Sequence, residues 1–201
     1  MQRLVGNCGH SYKEPMTVIK YFLTSLMLLT LFSCKKNNSS QQTIQIPNGD
    51  FELWDNSPTL YNWQTNSCPS CVPPFETYIV QKVTDVAHGQ YAAKFIFNGV
   101  YSSRANNKFP ISLHPTALIG YIKSNITSGD TAIIHVDIFQ GNNIVDTGNF
   151  YEISSTLLYK KIEIHISQTT SNVDSALIKI AGGKKQNTEL YVDDLVFIKR
   201  N

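Results

Sequence analysis

The residues whose types and spacing could do chemistry are Cys68-x-x-Cys71, four scattered histidines, the Asp193-Asp194 pair and a set of aromatics near turn residues. Cys68 and Cys71 have the spacing of a redox pair, a metal half-site or a small disulfide. A thioredoxin-type pair needs a helix N-terminus to lower the thiol pKa, and Pro73-Pro74 follow too closely for such a helix to start. Zinc would need a second ligand pair, and the histidines are dispersed. A disulfide is the expectation in an oxidising compartment. His88, His114, His135 and His165 share no spacing, no Ser sits in a Gly-x-Ser-x-Gly turn, and no Cys/His pair stands out. Glycoside hydrolysis needs two carboxylates flanking a cleft. Asp193 and Asp194 are strand neighbours, whose side chains point to opposite faces. No catalytic set emerges, and the chain is expected not to be an enzyme.

The aromatics remain. Sugar sites stack aromatic faces on pyranose rings and orient hydroxyls with polar groups beside them. Tyr61, Tyr101, Phe150 and Tyr151 lie in or near expected loops and are the candidate ligand-contacting residues. Trp54 and Trp63 are larger, and Trp63 is expected in the core.

The elements that must position these residues follow a leader. Lys20 precedes an apolar run, Tyr21 to Phe32, ending in Leu31-Phe32-Ser33-Cys34. About 12 apolar residues suit a signal-peptide core and fall short of a membrane-spanning helix. The ending resembles the lipobox of bacterial lipoproteins, which implies cleavage before Cys34 and its acylation. Residues 1–33 are the expected signal peptide, with 1–15 an extension if Met16 is the true start. Residues 34–42 hold the lipidated Cys and a polar tether, Lys35 to Gln42, with no apolar residue to bury. No acidic run follows Cys34, which leans toward the periplasmic face of the outer membrane over the cell surface.

From residue 43 to 201 the pattern is all-β. Aromatics make up 11% of the chain and charged residues only 16%, a balance that fits half-buried pleated surfaces. Strands are expected at Thr43 to Ile46, Tyr78 to Val83, Tyr91 to Phe97, Leu118 to Lys123, Thr131 to Phe139, Tyr159 to Ile166, Ala176 to Ile180 and Glu189 to Ile198. Gly, Asn and Pro clusters punctuate them, and no helical period appears past the leader. An antiparallel β-sandwich follows. Ile46 to Trp54 is expected to supply its opening strand and to pair with Tyr191 to Leu195.

Charge narrows the ligand classes. The chain carries 17 Lys and Arg against 15 Asp and Glu, and the whole excess lies before Lys35. From Lys35 onward the chain has no net charge. Nucleic acid is excluded as a partner, and a neutral or weakly charged ligand is expected.

Asn48-Gly49-Asp50-Phe51-Glu52 with Trp54, Pro58 and Trp63, then His88-Gly89-Gln90-Tyr91-Ala92-Ala93-Lys94-Phe95, Leu118 to Lys123, and Tyr191-Val192-Asp193-Asp194-Leu195 come in an order that resembles galactose-binding-like jelly rolls. Many carbohydrate-binding modules share that architecture. A related carbohydrate-metabolism domain occurs in lipoproteins of glycan-degrading bacteria. The resemblance implies a jelly-roll sandwich over about residues 44–199. It also implies a structural calcium held by Glu52 and Asp193, with Asp50 or Asp194 adding an oxygen. The function it implies is a lipid-anchored, non-catalytic envelope domain that binds a carbohydrate or another extracytoplasmic ligand. A structural or assembly lipoprotein with protein partners and no small ligand is the alternative.

Overall fold

A computed structural model describes residues 41–56, 59–68, 78–167 and 172–200. They fold as strands, with no helix among them. All belong to one compact unit, Ser39–Asn201. Cys34, Cys71 and residues 35–40 of the expected tether lie outside the described residues.

Eleven strands follow in chain order: β1 Gln42–Gln45, β2 Gln64–Thr65, β3 Val80–Val83, β4 Ala92–Ile96, β5 Arg104–Pro110, β6 Ala117–Asn125, β7 Ala132–Gln140, β8 Asn143–Glu152, β9 Thr156–His165, β10 Ser175–Ala181 and β11 Glu189–Lys199. Two antiparallel sheets face each other. One runs β3-β4-β11-β6-β9 with β1 added to β11, and the other runs β2-β5-β10-β7-β8. The strand residues alternate as a two-layer core requires. Ile134, Val136 and Ile138 of β7, Ile178 and Ile180 of β10, and Leu118 and Ile122 of β6 are all buried between the layers.

The expected opening strand is a correction. Ile46 to Trp54 is a looped segment, and the first strand is Gln42–Gln45, paired with Val196–Lys199. Asn48 and Phe51 both adopt positive φ, at 51° and 55°, where an extended strand is impossible. The Asn48 amide closes the loop by donating to the Leu53 and Tyr61 carbonyls and accepting the Leu53 N–H. A left-handed Phe costs roughly 1–2 kcal/mol. Fully burying its ring returns about 1.5–3 kcal/mol, and Phe51 adds a stack on Trp63 at 5.3 Å between centroids. Burial wins. Trp63 lies in the core as expected, its indole N–H on the Asn48 carbonyl at 3.1 Å.

The pairing with the end of the chain is real but split. β4 and β1 lie in succession along one flank of β11, taking Glu189–Val192 and Val196–Lys199, while β6 takes the other flank. The register slips between Asp193 and Val196, Asp194 has a φ of 51°, and the Leu195 N–H reaches the Gly49 carbonyl at 2.7 Å. A Cβ on Gly49 would lie 2.4 Å from the Leu195 carbonyl oxygen. Only glycine admits that approach.

β5 and β8 are strands that composition did not announce. Most of their outward positions are polar or charged, and Pro110, Gly148 and four Asn depress strand propensity. Burial every second residue still marks them: Ala105, Asn107 and Phe109 in β5, and Asp146, Gly148 and Glu152 in β8.

Candidate functional site

The outward face of the five-stranded sheet gathers a set of polar side chains, with Tyr151 of the expected aromatics among them. The pairing places Arg104, Ala181, Ile133 and Tyr151 in one row across β5, β10, β7 and β8. The next row is Gln64, Asn106, Lys179, His135 and Asn149. The third holds Lys108, Leu177, Asp137 and Thr147. Strands spaced about 4.8 Å apart put Tyr151 some 14 Å from Arg104.

Polar side chains knit the centre of this face. His135 Nε2 lies 2.7 Å from Asp137 Oδ1, and its Nδ1 lies 2.7 Å from Asn149 Oδ1. Lys179 Nζ donates to Asp137 Oδ2 at 2.8 Å, and the Asn106 amide donates to Gln64 Oε1 at 3.1 Å. Asp137 is buried beneath its partners although its strand position faces outward. Side chains locked to each other at the surface present donors and acceptors in set directions, as recognition of hydroxyls requires.

Two shallow depressions adjoin the network. One of about 430 Å³ is bounded by Asn66, Phe97, Tyr101, Ser102, Arg104 and Lys184. Another of about 360 Å³ is bounded by Asn62, Gln64, Asn106, Lys108 and Leu177. The first is built by two pinned loops. Asn98 Oδ1 accepts the N–H groups of Val100 and Tyr101, and Ser102 Oγ donates to the Gly182 carbonyl. Asp130 is buried and accepts the N–H groups of Lys184, Lys185 and Thr131, which anchors the segment carrying Lys184. Burial pushes the Asp130 carboxyl up, but those N–H groups and the Thr188 hydroxyl outweigh it and hold it below the usual carboxylate range.

Of the four expected aromatics, Tyr101 lines the larger depression and is 55% exposed, and Tyr151 stands on the outward face at 59%. Tyr61 is exposed beside Asn62 of the smaller depression. Phe150 is a correction. It pairs with Ile134, faces the core and packs against it. Phe150 and Tyr151 were expected in a loop, but they are consecutive on a strand, so only one of them can face out. Sequence reasoning missed Asn106, Asn149, Lys179, Arg104 and Lys184. Lone polar residues on short strands carry no motif, and only the register brings them together.

The expected calcium ligands converge in part. Glu52 Oε1 accepts the N–H groups of Gln90 and Tyr91, and Asp193 Oδ2 accepts those of Ala87 and His88. Asp50 is exposed, and its contact is with the Glu52 N–H at 3.5 Å. Asp194 faces His88 Nδ1 at 3.3 Å. Among the described residues no three His, Cys, Asp or Glu side chains are placed together to hold a metal. Glu52 and Asp193 thus meet one loop through its N–H groups, and the four expected carboxylates do not form a cage. Burial keeps the Asp193 carboxyl above the usual carboxylate range despite its bonds to the His88 and Ala87 N–H groups.

The histidines are dispersed, as expected. His114 is buried against Asp146 at 2.6 Å, His88 packs edge-on to Tyr121, and His165 is exposed.

Comparison with known proteins bears on the fold. No protein-family model matches the sequence, and no curated protein matches it. Solved structures do. The carbohydrate-binding module TmCBM61 in complex with β-1,4-galactotriose superposes with a TM-score of 0.52 at 15% identity, covering 78% of this chain and 97% of that one. The chain has the jelly-roll fold of carbohydrate-binding modules. The enzymatically active domain of tailspike protein 4 from bacteriophage CBA120 superposes at 0.50 with 14% identity, over 76% of this chain and 21% of that one. This chain thus spans about a fifth of the tailspike structure. The same jelly roll occurs in binding modules and within enzymes.

Proposed function

We propose that this is a non-catalytic, lipid-anchored glycan-binding domain of the cell envelope, with its site on the outward face of the five-stranded sheet. The observation that carries the reading is the interlocked row Gln64, Asn106, Lys179, His135 and Asn149, with Tyr101 and Tyr151 at its margins. Fixed polar groups beside exposed aromatic rings match the two needs of sugar recognition, directed hydrogen bonds and a stacking surface. A face some 14 Å wide from Arg104 to Tyr151 suits an oligosaccharide more than a single sugar. The galactotriose bound by TmCBM61 makes a galactose-containing chain a reasonable first ligand to try. For glycoside hydrolysis two carboxylates must flank the bond. The outward strand positions of this face carry one acid, Asp137, which supports binding without cleavage.

Anchoring at Cys34 belongs to the same proposal, with the outer membrane as the location and its periplasmic face favoured. β1 starts opposite Lys199, whereas Glu189 at the other end of β11 pairs with Ile96 beside the Tyr101 loop. Ten residues of strand separate the ends by about 33 Å.

A protein-binding role is favoured by one feature. Ile153, Leu157 and Leu158 are exposed near the crossing from edge strand β8 to edge strand β9, the two leucines at 90% and 81%. Exposed large apolar side chains gathered in one stretch of surface are a feature of docking regions.

Screening the full-length chain on an array of neutral and acidic oligosaccharides tests the main reading. Saturable binding that is lost in Tyr101→Ala and Asn149→Ala is expected. No binding to any glycan, with a partner protein captured through Leu157 and Leu158, would replace it with the protein-binding role.

A further inference from the structure

We propose that the Arg104 depression selects an anionic sugar, one carrying a carboxylate or a sulfate ester. The inference rests on the glycan reading above and names the ligand's charge.

Two cationic side chains, Arg104 and Lys184, line this cavity of about 430 Å³, and among the described residues no acidic one does. Five other cations of the domain each have a carboxylate partner. Lys94 meets Glu189, Lys123 meets Asp85, Lys160 meets Glu152, Lys179 meets Asp137 and Arg200 meets Glu163. Among the described residues, no carboxylate lies within ion-pair distance of Arg104 or Lys184. The nearest candidate, Asp130, is buried and spends both oxygens on backbone N–H groups, including that of Lys184 itself. It fixes the segment and leaves the ammonium charge outside uncompensated.

Both cations are carried on backbone that is held without a ligand. Asn66 brackets Arg104, accepting its N–H at 2.7 Å and donating its own N–H to the Arg104 carbonyl at 3.2 Å. The Asn66 amide also holds the Ser102 carbonyl at 2.8 Å. Like charges gathered without a counter-charge repel, so the arrangement is stable only because the loops are braced from behind. A ligand anion removes that repulsion, and the ordering cost is met before binding. A guanidinium fork matches the paired oxygens of a carboxylate or sulfate, and the Tyr101 ring at the rim offers the sugar a stacking surface.

The expectation of a neutral ligand came from net charge, which averages over the whole domain. The five-stranded sheet departs from that average, since its outward positions hold Arg104, Lys108 and Lys179 against Asp137 alone. Local charge decides local affinity, because screening confines exposed charges to about 10 Å.

Calorimetric titration of the full-length chain tests this with three probes: an oligogalacturonide, a sulfated galacto-oligosaccharide, and β-1,4-galactotriose as the neutral arm. An anionic probe should bind about tenfold or more tightly than the neutral one, and its identity separates carboxylate from sulfate. Arg104→Gln and Lys184→Gln should each erase most of that preference, with a larger loss for the anionic probe than for galactotriose and the melting midpoint unchanged. Lys161→Gln, on the opposite sheet, should change nothing. Equal affinity for neutral and anionic probes, or an equal loss with Lys161→Gln, overturns the charge selection and leaves glycan binding standing. Failure of all three probes to bind overturns both.

Discussion

Glu52 and Asp193 come from opposite ends of the domain and hold the two halves of one loop. Asp193 takes the N–H groups of Ala87 and His88, and Glu52 takes those of Gln90 and Tyr91. Gly89 lies between them with a φ of +69°, and a Cβ there would fall 2.0 Å from Glu52 Oε1. The closing motif and the opening motif thus read as one device. Hydrogen bonds to a charged acceptor are worth about 1.5–3 kcal/mol, so Glu52→Ala and Asp193→Ala should each cost about 2–4 kcal/mol in urea unfolding. Asp50→Ala, outside the clasp, should stay within about 0.5 kcal/mol. An Asp50 effect as large as the other two would show that the loop is not held in this way.

The same pair carries the calcium proposal. Calcium accepts six to eight hard oxygens in loose geometry, and Glu52 with Asp193 and nearby carbonyls would supply them. Millimolar calcium should raise the melting midpoint over chelator. At 100 times its dissociation constant the gain would be about 2.7 kcal/mol. Glu52→Gln and Asp193→Asn should abolish the response. An unmoved midpoint in the unmodified chain removes the ion.

Asp130 makes a pH-dependent contribution. Its folded pKa lies below the ordinary 3.8. Its stabilising share is therefore fully present above that ordinary value and is lost as pH falls through the lower folded one. Asp130→Asn should be less stable than the parent by about 2 kcal/mol at neutral pH, with the gap closing toward acid. Urea midpoints taken between neutral and strongly acidic pH read this directly, and a constant gap would contradict it.

The architecture was legible because long strands such as Ala132–Gln140 and Glu189–Lys199 alternate apolar with polar residues or run apolar. The proposed binding face was not. β5 and β8, which carry Arg104, Asn106, Asn149 and Tyr151, combine polar outward positions with weak strand formers, since a face turned toward a ligand need not resemble a core. Ile46 to Trp54 misled for a related reason. Its apolar residues look like strand anchors, but Asn48 and Phe51 turn left-handed to bury the Phe51 ring. The Glu52 and Asp193 motifs were visible as motifs, whereas their common target, the loop N–H groups from Ala87 to Tyr91, required the fold.

Two predictions concern the cysteines. Cys34→Ser should move the protein from the detergent phase to the soluble fraction, and unchanged partitioning would sink the lipid anchor. Cys68 and Cys71 should appear in one non-reduced peptide lacking two hydrogens by mass spectrometry. Free thiols there would disprove the link.

The most direct test of the central claim is amide NMR mapping of the isotopically labelled full-length chain, titrated with the tightest-binding oligosaccharide. Shifts should concentrate at Tyr101, Arg104, Lys184, Asn106 and Asn149, and should spare Leu157, Leu158, Tyr121 and Tyr191. Shifts confined to the β9 edge or to the six-stranded sheet would contradict the assignment of the site.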